Sequence, residues 1–227
     1  MVTESETTTA VAEKPEELDR LVPNKSLIYR FVKRTFDIVV SAVGLVIVSP
    51  VLLIAAVAII AEDGGSPFFF QPRIGKNCRP FKMLKLRSMK IDAEILLEKL
   101  SEEDKKEFFE SFKLKNDPRI TKVGSFIRRT SIDELLQLWN VVRGDMSLVG
   151  PRPPLLIEEE AYGEHLAKVM SVRPGITGYW QVHGRSNTSF QERIEMNEYY
   201  IEHRSLGMDL KILLDTVGVV FAGKGAL

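Results

Sequence analysis

Two adjacent carboxylates, Asp133 and Glu134, have the side chains that phosphoryl chemistry requires. They lie in RRTSIDELLQLWNVV, directly after Arg128 and Arg129. An ionised aspartate can attack phosphorus, while a neighbouring carboxylate can hold a cation that neutralises phosphate charge. The N-terminus of a helix attracts phosphate, and the pattern puts both acids there. This stretch is therefore the first candidate for a reactive site.

A structural role explains the same two acids. Ser131 and Glu134 have the S-x-x-E spacing of a capping box, in which each side chain bonds a backbone N–H of the first turn. An apolar stripe then follows at helical spacing: Ile132, Leu135, Leu136 and Trp139. The pattern predicts a helix over Ile132 to Val142. Taken alone, the motif favours this structural interpretation.

Two Gly/Pro-rich stretches offer arginines to the same chemistry. GDMSLVGPRPP holds Arg152 between prolines, which lowers the entropy cost of presenting its guanidinium to a phosphate. RPGITGYWQVHGRS begins with Arg173 and contains Arg185 near its end, and its glycines permit close backbone approach. Each stretch alone is also explained as a rigid loop. Neither contains a Walker or dinucleotide-binding fingerprint.

An uncharged segment from Ile38 to Ala61 precedes these motifs. As a helix its 24 residues would measure about 36 Å, enough to cross a bilayer. Basic residues flank it on both sides: Lys25, Arg30, Lys33 and Arg34 before it, and Arg73, Lys76 and Arg79 after it. Both ends therefore favour the cytoplasm. Ser49 and Pro50 at its centre predict a re-entrant bend, with the Ser49 hydroxyl bonding a carbonyl such as that of Leu45. A kinked span is the alternative.

The remaining pattern predicts a mainly helical α+β protein. A small β-hairpin around Gly-Lys-Asn should follow the membrane helix. The other predicted elements are a helix over 91–114, a loop over 116–124, and helices over 157–169, 190–202 and 208–221. We expect a disordered leader over 1–24 without a signal peptide, a re-entrant membrane helix over 25–63 and a catalytic domain over 64–227.

Charge is unevenly distributed along the chain. From Gly64 to Ile91 there is no acid, and seven basic residues fall there: Arg73, Lys76, Arg79, Lys82, Lys85, Arg87 and Lys90. This basic block suits phosphate, anionic lipid or nucleic acid, or forms a solvated strand. Cys78 is the only cysteine and the three histidines are scattered, which argues against zinc. A metal site should be built from carboxylates and suit Mg²⁺.

The order of the motifs closely resembles that of the bacterial monotopic phosphoglycosyl transferases, also called bacterial sugar transferases. The resemblance is carried by KRTFDIVVSAVGLVIVSPVLLIAAVAI, FKMLKLRSM, NDPRITKVGSFIRRTSIDELLQLWNVVRGDMSLVGPRPP, RPGITGYWQVHGRS and DLKILLDTV. It runs from about Lys33 to the C-terminus. It implies a transferase that moves a sugar 1-phosphate from a UDP-sugar to polyprenyl (undecaprenyl) phosphate and releases UMP. This would be the first membrane step of exopolysaccharide or glycoconjugate assembly.

The resemblance also implies roles for residues. Asp133 would be the nucleophile that forms a covalent phosphosugar intermediate, and Glu134 would bind Mg²⁺, with Asp133 as the adjacent candidate ligand. Arg128 and Arg152 would bind phosphate, and the further candidates for substrate binding are Lys85, Arg87, Arg173 and Arg185. The Ser-Pro pair would make the membrane helix re-entrant. The enzyme would lie in the bacterial inner membrane with its catalytic domain on the cytoplasmic face, and a homo-oligomer is compatible with this pattern.

Three positions depart from the family pattern. Leu136 stands where many members have proline, Asn197 replaces a common Asp, and His183 replaces Asn or Ser. These changes bear on donor identity more than on reaction type, and the loop and C-terminus favour a hexose donor. Two alternatives use the basic block without catalysis. A membrane-anchored module would bind anionic lipid through it, whereas a nucleic-acid binder would need interleaved aromatics, of which only Phe81 is present.

Overall fold

The computed structural model describes residues 25–111, 114, 117–184 and 188–221. The predicted leader and the candidate Arg185 lie outside these ranges. The described chain is mainly helical, with one long apolar helix and a two-stranded antiparallel sheet formed by β1, Phe68–Ile74, and β2, Pro80–Leu86. The predicted α+β class and the hairpin around Gly-Lys-Asn are therefore confirmed.

The chain divides into two compact units, which are described separately below. The first unit contains the described residues within Met1–Gly44, Gln71–Met83 and Gln137–Gly225. The second contains those within Leu45–Phe70 and Leu84–Leu136. Helix α1 and the hairpin each contribute residues to both units.

Helix α1 runs from Leu27 to Asp63, so it begins eleven residues before the uncharged segment. Its 37 residues correspond to about 55 Å at 1.5 Å per residue. By length and composition it is able to cross a membrane. Its first turn is supported by the Ser26 hydroxyl, which accepts a hydrogen bond from the Tyr29 N–H at 3.2 Å.

Pro50 lies inside α1, and the helix continues past it. A proline has no N–H, so the carbonyl four residues earlier, that of Val46, loses its usual donor. The Ser49 hydroxyl donates to this same carbonyl at 2.8 Å. The expected acceptor, Leu45, was wrong by one residue, because the carbonyl that needs a donor is the one facing the proline. Whether α1 re-enters the membrane stays a prediction.

The first unit is built around a short parallel pair of strands that the sequence analysis interpreted as loops. β3, Ser147–Val149, pairs with β4, Gly175–Thr177, in the register Ser147↔Gly175 and Val149↔Thr177. A Cβ on Gly175 would lie 2.1 Å from the Gly150 nitrogen, so only glycine allows this approach. Three-residue strands inside Gly/Pro-rich stretches carry too weak an alternation to be recognised from sequence.

Helices make up most of the rest of the first unit, and two of them, Gln137–Arg143 and Leu206–Phe221, contact the strands. In chain order these helices are α5 (Gln137–Arg143), α6 (Glu159–Tyr162), α7 (His165–Val169), α8 (Tyr179–His183), α9 (Phe190–His203) and α10 (Leu206–Phe221). The predicted helix over 157–169 is broken at Gly163, whose φ of 51° is left-handed. The predictions for α9 and α10 are confirmed. The core includes the fully buried side chains of Val141, Met146, Leu166, Ile194, Ile201 and Ile212.

A buried set of charges also belongs to the first unit. Lys33 lies between two carboxylates, 2.7 Å from Asp37 and 3.6 Å from Asp209. Asp37 also accepts a 2.7 Å bond from the Ser147 hydroxyl, and Asp209 accepts one of the same length from Tyr200. These bonds tie the start of α1 to β3 and α10. Burial is tolerated here because every charge has a partner.

The second unit packs the C-terminal part of α1 against α4, Lys122–Arg129. Its core consists of Leu52, Ala55, Ile59, Leu86, Ile127 and Leu136. The Thr121 hydroxyl caps α4 by accepting from Gly124 N at 2.8 Å, and Glu62 accepts from the backbone N–H groups of Lys122 and Val123. The predicted loop over 116–124 therefore ends earlier than expected, at a cap.

The charged helix predicted over 91–114 is interrupted. The structure has α2, Ala93–Glu98, and α3, Glu102–Ser111. The Ser101 hydroxyl accepts a bond from Asp104 N at 3.1 Å and starts the second helix. This capping serine explains the break. It was not recognised from the sequence because charged residues continue on both sides of it.

Candidate active site

The two candidate catalytic acids lie on a tight turn in the second unit. Ser131 has left-handed backbone angles, φ 54° and ψ 22°, and a 3₁₀ turn follows over Ile132–Glu134. Ser131 makes no side-chain cap, so the predicted capping box was wrong. The α-helix begins only at Gln137, because an N-cap residue needs extended angles. Asp133 and Glu134 are therefore not explained by helix capping.

Asp133 is a buried acid with an altered ionisation. Asp133 is only 9% exposed. Burial, and after it the charge of the neighbouring Glu134, raise the pKa of the Asp133 carboxyl to about 6. The positive charges of Lys85 and Arg128 act in the opposite direction. The carboxylate is thus ionised at neutral pH, with weaker solvation than a surface acid has.

Glu134 differs from its neighbour in exposure. Its side chain is 47% exposed and receives one hydrogen bond, from Lys85 Nζ at 3.4 Å. An exposed carboxylate beside a buried one can contact a cation, because Mg²⁺ keeps several waters and needs only one or two protein carboxylates. Within the ranges that the structure describes, no group of three or more His, Cys, Asp or Glu is arranged as a metal site.

Arg128 is oriented by a residue that the sequence analysis did not identify. Its Nε donates to the Ser88 hydroxyl at 2.7 Å, and no described residue bonds its terminal nitrogens. The terminal N–H groups are therefore available to a phosphate. Ser88 follows Arg87 in FKMLKLRSM, but a lone serine after a strand carries no signal that predicts this contact.

The basic block is not a uniform surface. Arg87 forms a two-point ion pair with Asp63, and its Nε donates to the Ser66 carbonyl at 2.6 Å. Arg73 is 4% exposed and donates to the Pro153 carbonyl. The interpretation of this block as a surface for phosphate, anionic lipid or nucleic acid therefore does not hold for Arg73, which binds backbone inside the protein.

The first unit holds two further candidate arginines. Arg152 is half-buried, and its loop is fixed by the bonds Gly175 N to Pro151 O at 2.8 Å and Ile74 N to Pro154 O at 3.0 Å. No described residue pairs with its guanidinium. Arg173 donates its Nε to the Gly144 carbonyl at 2.8 Å. Arg152 thus lies on a rigid loop, whereas the Arg173 guanidinium is hydrogen-bonded to a backbone carbonyl.

Comparison with known proteins gives the family. The model of the bacterial sugar transferases matches residues 28–223. The chain belongs to this family. That membership confirms the family resemblance inferred from the order of the motifs, and it covers both units.

Individual relatives in the family are similar over most of this chain. It is 46% identical over 200 residues to a UDP-galactose-lipid carrier transferase of Erwinia amylovora, covering 87% of this chain and 42% of that protein. An undecaprenyl-phosphate galactose phosphotransferase of Salmonella typhimurium is 44% identical with the same coverage. The exopolysaccharide production protein ExoY of Rhizobium meliloti is 39% identical over 86% of this chain and 87% of its own length. The chain thus spans under half of the first two relatives.

Proposed function

We propose that this chain is a membrane-associated enzyme that transfers a sugar 1-phosphate from a UDP-sugar to polyprenyl phosphate and releases UMP. The observation that carries the proposal is Asp133, a buried carboxylate that feels the charges of Arg128 and Lys85 and adjoins an exposed Glu134. Relatives named for UDP-galactose, undecaprenyl phosphate and galactose support the substrate classes. The galactose in these relatives' names favours a hexose donor, in agreement with the loop and C-terminal sequences.

The reaction would take two displacements at phosphorus. An Asp133 oxygen attacks the phosphorus that carries the sugar, and the bond from that phosphorus to the oxygen bridging the two phosphates breaks. The electron pair leaves with UMP, and the sugar phosphate remains as an acyl phosphate on Asp133. An oxygen of polyprenyl phosphate then attacks the same phosphorus and displaces the carboxylate. The products are polyprenyl-diphosphate sugar and regenerated Asp133.

The surrounding residues have distinct tasks in this scheme. Burial keeps the Asp133 carboxylate poorly solvated and so more nucleophilic, while its pKa of about 6 leaves it ionised at pH 7. Arg128, oriented by Ser88, would bind the phosphate under attack. Lys85 would stabilise charge beside Glu134.

Magnesium fits the acids that are present. The exposed Glu134 carboxylate would hold the ion, with the adjacent Asp133 as a second ligand. Bound Mg²⁺ would neutralise phosphate charge and polarise the bond that breaks. The remaining positions would be filled by substrate phosphate and water, as is common for this ion.

A membrane position on the donor's side accounts for the apolar surface of α1. Its exposed apolar side chains include Val43, Val46, Ile47, Leu53, Ile54 and Val57. In α10 a stripe of Leu206, Leu210, Leu214 and Val217 is also exposed, which suits a helix lying at the membrane surface. We infer that α1 re-enters the cytoplasmic face of the bacterial inner membrane, where UDP-sugar and polyprenyl phosphate meet. The product would feed exopolysaccharide assembly.

Pro50→Ala tests the re-entrant topology. Alanine restores an N–H that competes with Ser49 for the Val46 carbonyl, which should favour a straighter helix. We expect an epitope placed in residues 1–24 to be cytoplasmic in the wild type and to become partly periplasmic in the variant, by protease accessibility in spheroplasts. Ser49→Ala, which keeps the proline, is the control. A cytoplasmic epitope in both proteins would mean that Pro50 does not set the topology.

Glu134→Gln tests the metal assignment. The amide keeps the shape of the side chain but loses the charge, so the Mg²⁺ concentration for half-maximal activity should rise about tenfold or more. Glu134 caps no helix, so the thermal midpoint should change little. Glu102→Gln, on an exposed helix, is the matched control. An unchanged Mg²⁺ requirement would exclude Glu134 as a ligand.

The proposed activity is tested by UMP release from a panel of UDP-sugars with detergent-purified protein and Mg²⁺. We expect sustained release with a UDP-hexose only when polyprenyl phosphate is present. Without the lipid, at most one UMP per enzyme should appear, because the covalent intermediate then accumulates. Folded protein that releases no UMP with any donor would contradict the proposed function.

A further inference from the structure

Helices α8 and α9 concentrate buried polar atoms that lack hydrogen bonds. In the described part of the chain these are Gln181 Oε1, Arg193 Nε, and both Nδ2 and Oδ1 of Asn197. Buried polar groups are almost always paired in folded proteins, since each unpaired one costs folding free energy. Four such atoms on two contacting helices, all in the first unit, indicate that a polar ligand belongs there.

Arg193 supplies an uncompensated positive charge at this place. Its guanidinium carbon lies 5.1 Å from the centre of the Trp180 ring, a cation–π contact that fixes the side chain over α8. No described acid forms an ion pair with it. One helical turn later, Asn197 is 1% exposed and neutral. An Asp at this position would offset the charge of Arg193, which the neutral Asn197 does not.

Arg152 lies in the same electrostatic neighbourhood. Both arginines act on the buried hydroxyl of Tyr162. Burial, and after it the charge of Glu158, raise the pKa of this hydroxyl to about 12. The charges of Arg152 and Arg193 both oppose that rise. The geometry supports this grouping, because the Tyr162 ring packs edge to face on Phe190, three residues before Arg193 in α9, with 5.0 Å between the ring centres. The Arg152 loop is bonded to the strand that leads into α8, through Gly175 N–H and the Pro151 carbonyl. The Tyr162 hydroxyl has no hydrogen bond to a described residue.

We propose that Arg193 is a further substrate-binding residue, which with Arg152 and the Tyr162 hydroxyl forms a phosphate site in the first unit. Two unpaired guanidinium groups and a free phenol can surround a phosphate with charge-assisted hydrogen bonds. The unpaired Asn197 amide offers a donor and an acceptor, and the unpaired Gln181 Oε1 offers an acceptor, to a hydroxyl carried by the same ligand. The ligand is thus a phosphate ester with hydroxyl groups. That it is the nucleotide of the donor rests on the proposed function.

Trp180 gives a direct readout, because the chain has only two tryptophans. In a Trp139→Phe background, titration of the full-length protein with UMP should change the Trp180 fluorescence saturably as phosphate displaces Arg193 from the ring. Polyprenyl phosphate in the same detergent forms a second arm, which distinguishes a lipid phosphate from a nucleotide phosphate. A response to either supports the site and names its source. No response to UMP, polyprenyl phosphate or inorganic phosphate would overturn it.

Variants separate the site from general charge effects. Arg193→Gln should weaken UMP binding about tenfold or more, the loss typical of a charge-assisted contact. Arg143→Gln, which removes a 65% exposed arginine of the same unit, should leave binding within about twofold. Asn197→Asp should also weaken binding, since it pairs Arg193 within the helix. Equal affinity in Arg193→Gln and Arg143→Gln would overturn the proposal.

A further variant tests whether the unpaired amide serves binding or is a packing defect. Asn197→Leu has a similar volume and removes both unpaired atoms, so the thermal midpoint should be unchanged or higher. We expect UMP binding to fall at the same time, whereas an unchanged affinity would limit the site to the two arginines and Tyr162 and overturn the role of Asn197. Because binding is measured without turnover, a failed activity assay and a failed phosphate site give different results.

Discussion

Asp133→Asn should reduce lipid-dependent UMP release to less than about one per cent of the wild-type rate. The amide matches the carboxylate in size but cannot form the acyl phosphate, and a lost covalent step is not replaced by the remaining binding groups. The measurement is UMP release under saturating Mg²⁺, together with a search for the phosphosugar adduct by intact-protein mass spectrometry. Residual turnover above that level would contradict a nucleophilic role.

The folded state of the same variant provides its control. The pKa of Asp133 is higher in the folded protein than the unfolded value of 3.8, so ionisation above pH 6 costs stability. The asparagine variant avoids that cost and should be more stable at pH 7.5 by up to about 3 kcal/mol. Below about pH 3 the carboxyl is protonated in both states, and the advantage should disappear. If the variant had a lower thermal midpoint than the wild type at pH 7.5, its lost activity would be explained by unfolding.

Gly124→Ala should produce the largest loss of stability. A Cβ at this position would lie 1.9 Å from the Ser88 carbonyl oxygen, which is backbone and cannot rotate away. Helix α4 would have to move from Ser88, breaking the 3.2 Å bond from Thr121 N and the contact that orients Arg128. We expect a loss of about 3 kcal/mol or more. The measurement is the thermal midpoint in detergent, followed by the Michaelis constant for the donor.

Gly218→Ala is the matched control for this substitution. Nothing lies within 4 Å of a Cβ built at Gly218, and the residue is inside α10. Alanine in an open helical position stabilises by about 0.5–1 kcal/mol. If both alanine variants had the same melting point, the close contact between Gly124 and Ser88 would not limit stability.

The sequence predicted elements whose signal is local. The hairpin was predicted because its apolar and basic residues alternate, and α9 and α10 because their apolar residues recur at helical spacing. The same reasoning failed at Ser131, since S-x-x-E spacing cannot show that a serine adopts left-handed angles. β3 and β4 were missed because their pairing joins residues 28 apart in short Gly/Pro-rich segments.

For the site, residue types were easier to predict than their partners. Asp133 and Glu134 were found from their adjacency, but the contact between Lys85 and Glu134 joins residues 49 apart. The contact between Arg128 and Ser88 joins residues 40 apart. No periodicity encodes such pairs. The pKa of Asp133 is raised mainly by burial. The predicted capping box gave no indication that this side chain is buried.

The buried polar contacts of the first unit join residues that the ribosome synthesises at very different times. Tyr29 and Asp209 are 180 residues apart, so at 5–20 residues per second the ribosome needs roughly 10 to 40 seconds to deliver the second after the first. During that interval α1 already exists without β3 or α10. Lys33 and Asp37 are one turn apart and can neutralise each other within the helix. Because of this pair, Lys33 and Asp37 need not remain unpaired in the apolar helix α1 before β3 and α10 have been synthesised.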